Sequence, residues 1–193
     1  MTAIGGCLLA LVAVVLFAAI WAIWRYNNLV SLKNQVANAW KQIDVQLKRR
    51  HDLIPNLIAS VKGEMQFEQD TLEKVIQARN SAVAARGVAD TASRENELTQ
   101  TLSRLFALAE NYPNLKANES VRTLMEELTS TENKIGFARQ FYNDLATRFN
   151  IAQQVFPDNL IAQAFKFQPV ELFEITVAAE RDVPKVDLSL PPR

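Results

Sequence analysis

Residues 119–156 read ESVRTLMEELTSTENKIGFARQFYNDLATRFNIAQQVF. Val121, Leu124, Leu128, Thr131, Ile135, Ala138, Tyr142, Leu145, Phe149, Ala152 and Phe156 step through this stretch by threes and fours. Side chains at that spacing share one face of an α-helix, and over about five repeats they form a heptad-like seam. A helix from Glu119 to Phe156 would be about 57 Å long. Asn118 is placed to cap its start, and Phe156-Pro157-Asp158-Asn159 to end it.

The same rhythm extends outward. Leu29, Leu32, Val36, Trp40, Ile43 and Leu47 form one stripe, and Leu57/Ile58, Val61, Met65, Leu72, Val75/Ile76 and Val83 resume it. A further helix carries Leu98, Leu102, Leu105 and Ala109. Pro55 lacks an N–H and crowds the turn before it, which predicts a kink or break near residues 51–53. Residues 87–92 read as a turn, Tyr112-Pro113-Asn114 as a helix end, and residues 160–167 as a short terminal helix. Pro169, Pro184, Pro191 and Pro192 make the remainder an extended tail. The chain is therefore expected to be all-α: an elongated antiparallel bundle of three to four long helices over residues 26–167, with a tail over residues 168–193.

Residues 1–25 are expected to be a transmembrane anchor. From Ile4 to Trp24 the chain runs 21 residues without a charge, about 31 Å of helix against a hydrocarbon core of ~30 Å. Trp21, Trp24 and Tyr26 gather at its end and Arg25 follows, as at a membrane–water interface. A cleaved signal peptide would begin with basic residues and end in small ones, whereas no cation precedes Arg25 here. Cys7 precedes the apolar run rather than following it, so it reads as an apolar membrane residue and not a lipoprotein site. Gly6/Ala10 and Ala18/Ala22 are small residues four apart, a spacing that lets membrane helices approach closely.

Net charge is zero overall but unevenly placed. Residues 25–50 hold six cations (Arg25, Lys33, Lys41, Lys48, Arg49, Arg50) against Asp44, while residues 51–193 hold fifteen cations against twenty anions. The positive segment beside the anchor predicts a cytoplasmic bundle and an external N-terminus, with a periplasmic bundle as the alternative. No overall basic excess draws in a nucleic acid.

Chemistry-bearing sets are sparse. One His and one Cys cannot build a His/Cys zinc site, and one Cys cannot form an intramolecular disulfide. No GxxxxGK, GxGxxG, Gly-x-Ser-x-Gly or His-Glu-x-x-His occurs. His51, in Lys48-Arg49-Arg50-His51-Asp52, reads as solvated or as capping the Pro55 kink. Lys48, Arg49 and Arg50 are expected to pair with acidic helix faces, with lipid phosphates or an acidic partner as the alternative. Glu132 and Arg139, seven apart on the seam side, suggest a buried polar pair that sets register. Glu126, Glu127 and Glu132 lack the Glu-x-x-His pattern of a di-iron bundle. No catalytic, cofactor-binding or metal-binding residue is assigned, and the chain reads as a non-enzyme without a cofactor.

The stretch Tyr26-Asn27-Asn28-Leu29-Val30, followed by residues 39–57 (AWKQIDVQLKRRHDLIPNL), resembles the signature of the bacterial LemA family. Residues 112–118 (YPNLKAN), 131–135 (TENKI), 138–143 (ARQFYN) and 181–187 (RDVPKVD) resemble it in the same order. Many members carry Tyr where His51 stands, and a lipoprotein-like Cys after the apolar segment, which this chain lacks. The resemblance implies a helical bundle behind an N-terminal membrane helix. It brings no catalytic residues, and through a branch that takes part in forming membrane invaginations it points to membrane organisation. The expected function is a non-catalytic single-pass scaffold in a bacterial inner membrane. Its partners would be the lipid bilayer, further copies of itself and an unidentified protein, with no nucleic acid and no small-molecule substrate. A signalling or sensing bundle that relays a signal to a partner is the alternative.

Overall fold

The computed structural model describes residues 2–174, and among them every regular element is helical. The side chain of Cys7 and the 181–187 stretch lie outside the described residues. In order the helices are α1 (Thr2–Val61), α2 (Gln69–Ala84), α3 (Val88–Ala109), α4 (Pro113–Ala117), α5 (Glu119–Ala152) and α6 (Asp158–Ala164), with a single 3-10 turn at Gln66–Glu68. The chain is an all-α bundle, as the apolar stripes predict.

Helix α1 is 60 residues long, about 90 Å at the usual rise. Its first part leaves Leu9, Leu11, Phe17 and Ile20 uncovered, and it is the one stretch among the described residues long and apolar enough to cross a membrane. From Leu29 onward the same helix buries one stripe: Leu29, Val36, Ile43, Leu47, Ile54, Leu57 and Val61. Helix α5 runs antiparallel along it, and the α2–α3 pair closes the end farther from the apolar segment.

Of the kink or break expected near residues 51–53, the break does not occur: α1 runs through Pro55. The carbonyl that the proline releases is that of His51, four residues earlier. Arg79 Nε of α2 donates to that oxygen at 3.2 Å, so the group left without an intrahelical donor is satisfied from a neighbouring helix.

Other boundaries shift for local reasons. The expected turn over residues 87–92 is confined to Ala85-Arg86-Gly87, because Gly87 adopts φ +79 and α3 starts at once. Asp90 then accepts from the Arg86 N–H at 3.0 Å. Asn118 caps α5 through the N–H groups of Ser120 and Val121, at 3.0 and 3.3 Å. Helix α5 stops at Ala152 rather than Phe156.

The tail is extended where it is described, and it is held in place. Asn150 accepts from Val170 N–H and donates to its carbonyl, at 2.9 and 2.8 Å. Asn143 does the same to Phe173, at 2.8 and 3.1 Å. Two amides seven residues apart on α5 thus act as the missing strand partner. Tyr142 donates to Glu171 O at 2.8 Å, and Phe173 is buried beside Trp40, ring centres 6.0 Å apart.

Replacing Arg79 by Met should destabilise the chain by about 1 kcal/mol. The loss should shrink in a Pro55→Ala background, where residue 55 regains an N–H for His51 O. Thermal unfolding of the four variants in detergent measures the coupling, and equal losses in both backgrounds would place the role of Arg79 elsewhere.

Candidate functional site

Two apolar clusters make up the core. One joins Ile54, Leu57, Val61, Val75, Leu98, Leu105 and Leu128; the other joins Val36, Ile43, Leu47, Ile135, Tyr142, Leu145 and Phe149. Between them lies a polar layer, built from α1, α3 and α5 at positions where the apolar stripes leave a gap. Arg50 falls between Leu47 and Ile54 on α1, Glu95 between Ala92 and Leu98 on α3, and Thr131-Glu132 between Leu128 and Ile135 on α5.

Arg50 is fully buried, as is the Glu95 side chain, whereas Glu132 is 35% exposed. One Arg50 terminal nitrogen, Nη2, bonds the Glu95 carboxylate and also donates to Glu95 O at 3.0 Å. The other, Nη1, bonds the Glu132 carboxylate and the Thr99 hydroxyl, the latter at 2.9 Å. The Thr99 hydroxyl lies 3.1 Å from Glu132 Oε1. His51 Nε2 donates to the second Glu95 oxygen at 2.7 Å, with the His51 side chain 12% exposed.

Burial alone would push Glu95 upward. The hydrogen bond from His51 and the positive charge of Arg50 outweigh it and hold the carboxyl below its ordinary value. Burial likewise draws the Arg139 guanidinium down, with Glu132 opposing.

The basic trio pairs with acidic groups, as its sequence predicts, but with unequal burial. Lys48 meets Asp52 within α1 at 2.8 Å, Arg49 meets Glu127 of α5 at 3.6 Å, and Arg50 enters the core. Two expectations are corrected. His51 is not solvated or capping: one residue past the seam position of Arg50, its ring is carried onto Glu95 of α3. Glu132 is bonded to Arg50 rather than to Arg139, whose guanidinium lies 4.5 Å above the Phe173 ring. Glu95 and Thr99 were invisible as site residues, since an acid and a hydroxyl four apart on a helix carry no signal of burial.

A cleft of about 480 Å³ opens beside the layer, lined by Trp40, Lys48, His51, Arg79 and Glu95 among others. Its His–carboxylate pair faces Arg50 rather than a nucleophile, and the Thr99 hydroxyl is engaged by Glu132. Among the described residues, no three His, Cys, Asp or Glu side chains are grouped so as to hold a metal ion. What the layer can do is select one register of α1, α3 and α5: a slip of any helix would leave a buried charge against leucine.

A model of the LemA family matches residues 39–188. The chain belongs to the LemA family. The matched region begins within α1 at Ala39 and contains Arg50, His51, Glu95, Thr99 and Glu132, hence the whole polar layer. Protein LemA of Metamycoplasma hominis is 29% identical over 168 residues, spanning 85% of this chain and 75% of that protein. Magnetosome protein MamQ 2 of Paramagnetospirillum magneticum is 22% identical over 201 residues, covering 91% of this chain and 74% of the relative. Magnetosome protein MamQ of Magnetospirillum gryphiswaldense is 22% identical over 185 residues, covering 82% and 68%.

In this LemA-family bundle, Arg50→Met should cost about 3–5 kcal/mol, because it strands the buried Glu95 carboxylate. Arg50→Met combined with Glu95→Leu should recover much of that loss, as measured by unfolding in detergent. No recovery would mean that the layer is not a coupled unit. The pH dependence has a definite sign. Glu95 has a lower pKa in the folded than in the unfolded chain, so its contribution is present above the ordinary value of 4.5 and is lost as pH falls through the folded value. Glu95→Gln should flatten that acid limb of the stability curve, and an unchanged limb would remove Glu95 as its source.

Proposed function

We propose that this LemA-family protein is a non-catalytic, single-pass membrane scaffold that acts through helix–helix contacts in membrane organisation or remodelling. The observation that carries the reading is α1, one unbroken helix that begins as an exposed apolar segment and ends as the central core helix of the bundle. Such a helix ties the bundle rigidly to an anchor. The relatives that are magnetosome proteins support the link to membrane organisation. The charge bias of residues 25–50 favours a cytoplasmic bundle in a bacterial inner membrane, N-terminus outside. Partners are further copies of the chain, favoured by Gly6/Ala10 and Ala18/Ala22 on the anchor, and at least one other protein.

The unbroken α1 also favours a second reading, a signalling bundle that relays a shift of the anchor to a partner, since no flexible joint separates the two. A change in α1–α5 spacing on adding a ligand, read by paired spin labels, would separate relay from scaffold.

Crosslinking in cells followed by mass spectrometry should capture homo-oligomers and a partner protein. A strict monomer in detergent together with no crosslinked partner would overturn the scaffold reading. With Cys7 replaced, a Cys at exposed Ser130 should resist a membrane-impermeant thiol reagent in intact cells; labelling there would put the bundle in the periplasm.

A further inference from the structure

Where α5 turns into α6, five large apolar side chains face outward. Ile151, Val155, Phe156, Leu160 and Phe165 are each more than half exposed. Between residues 145 and 170 the charged groups are Arg148, Asp158 and Lys166. Asp158 is buried and paired with Arg25 at 3.1 Å, so Arg148 and Lys166 are the exposed charges within this span, with exposed Asp144 and Glu171 just outside it on the side toward the bundle. An apolar patch rimmed by cations is the composition of a surface that lies in a lipid headgroup region.

The location of the corner is set by contacts with the end of the anchor. Arg25 is the first charge after the uncharged run, and its guanidinium sits over the rings of Trp24 and Trp21, at 4.9 and 5.9 Å. The same Arg25 holds Asp158 at the start of α6. The next residue, Tyr26, packs its ring on Phe165 at 4.5 Å and on Phe167 at 5.9 Å. One helical residue advances about 1.5 Å along the axis, so the α5–α6 corner stands level with the interface that Trp21 and Trp24 mark.

We propose that this corner is a second membrane contact, a foot seated in the interfacial layer of the bilayer that α1 crosses. Phe156, Leu160 and Phe165 enter the acyl boundary, and Arg148 and Lys166 face lipid phosphates. The proposal rests on α1 being a membrane anchor. Its consequence is geometric: two points of attachment set the tilt of the bundle, where an anchor alone would leave anchor and bundle free to tilt together as one rigid body.

The test uses the full chain with Cys7 replaced, reconstituted in phosphatidylcholine–phosphatidylglycerol vesicles with and without brominated acyl chains. Single cysteines at Leu160 and, as a second site on the corner, at Ile151 carry an environment-sensitive fluorophore; Ser130 serves as the control. The foot predicts several-fold stronger quenching by brominated lipid at Leu160 and Ile151 than at Ser130, and weaker quenching there by aqueous iodide. Quenching by iodide alone at both sites would overturn it, as would shielding from both quenchers, which would assign the patch to a second copy or another protein surface. Flotation after an alkaline wash reads the anchor separately. A chain that stays with the vesicles while its corner is wet refutes the foot alone, whereas a chain that washes off refutes the anchor and the foot with it.

Discussion

Arg50 is a charged side chain with no solvent exposure, placed on the α1 stripe where leucine would otherwise continue the seam. Removing such a group from water costs several kcal/mol, which only close, well-aimed partners offset. Here the partners come from two other helices: the carboxylate and carbonyl of Glu95, the hydroxyl of Thr99 and the carboxylate of Glu132. The bond that His51 makes to Glu95 then supports the acid that holds the arginine. A layer of this kind contributes little net stability compared with an apolar core. What it does is make every other register expensive, because leucine packing tolerates a slip by one turn and a buried ion pair does not.

That constraint bears on how the two ends of the molecule are joined. With α1, α3 and α5 locked at the polar layer, and Pro55 carried through by Arg79, the helix that starts as a membrane segment reaches the far end of the bundle as one element. The near end is held separately, by Arg25 on Asp158 and Tyr26 on Phe165. Between these points the tail lies along α5 through Asn143 and Asn150, with Phe173 buried between Trp40 and Arg139. A LemA-family bundle of this form has several fastenings along α1 and no loop at which the anchor could move independently.

Legibility from sequence followed the range of the interaction concerned. Seam spacing and the Asn118 cap report on neighbours two to four residues away, and the uncharged run before Arg25 on one contiguous stretch, and each is readable. Where a local rule met a distant group, the rule failed. Pro55 predicts a kink or break, yet α1 runs on through it, with a side chain from α2 supplying the donor that His51 O lacks. His51 reads from sequence as solvated or kink-capping, and an acid 44 residues on takes it into the core edge. Glu132 found Arg50 instead of Arg139 because the seam faces another helix, not its own continuation.

The amino-acid sequence by itself determined that this chain is helical, where its helices lie, and that one segment is apolar enough for a membrane, since these follow from periodicity, caps and runs within a few residues. Only the tertiary structure decided which charges are buried together, that α1 survives its proline, and that the α5–α6 corner stands at the anchor's edge. Those outcomes depend on which groups meet across helices, and residues 28 to 141 positions apart, from His51–Arg79 to Tyr26–Phe167, leave no periodic trace of their meeting.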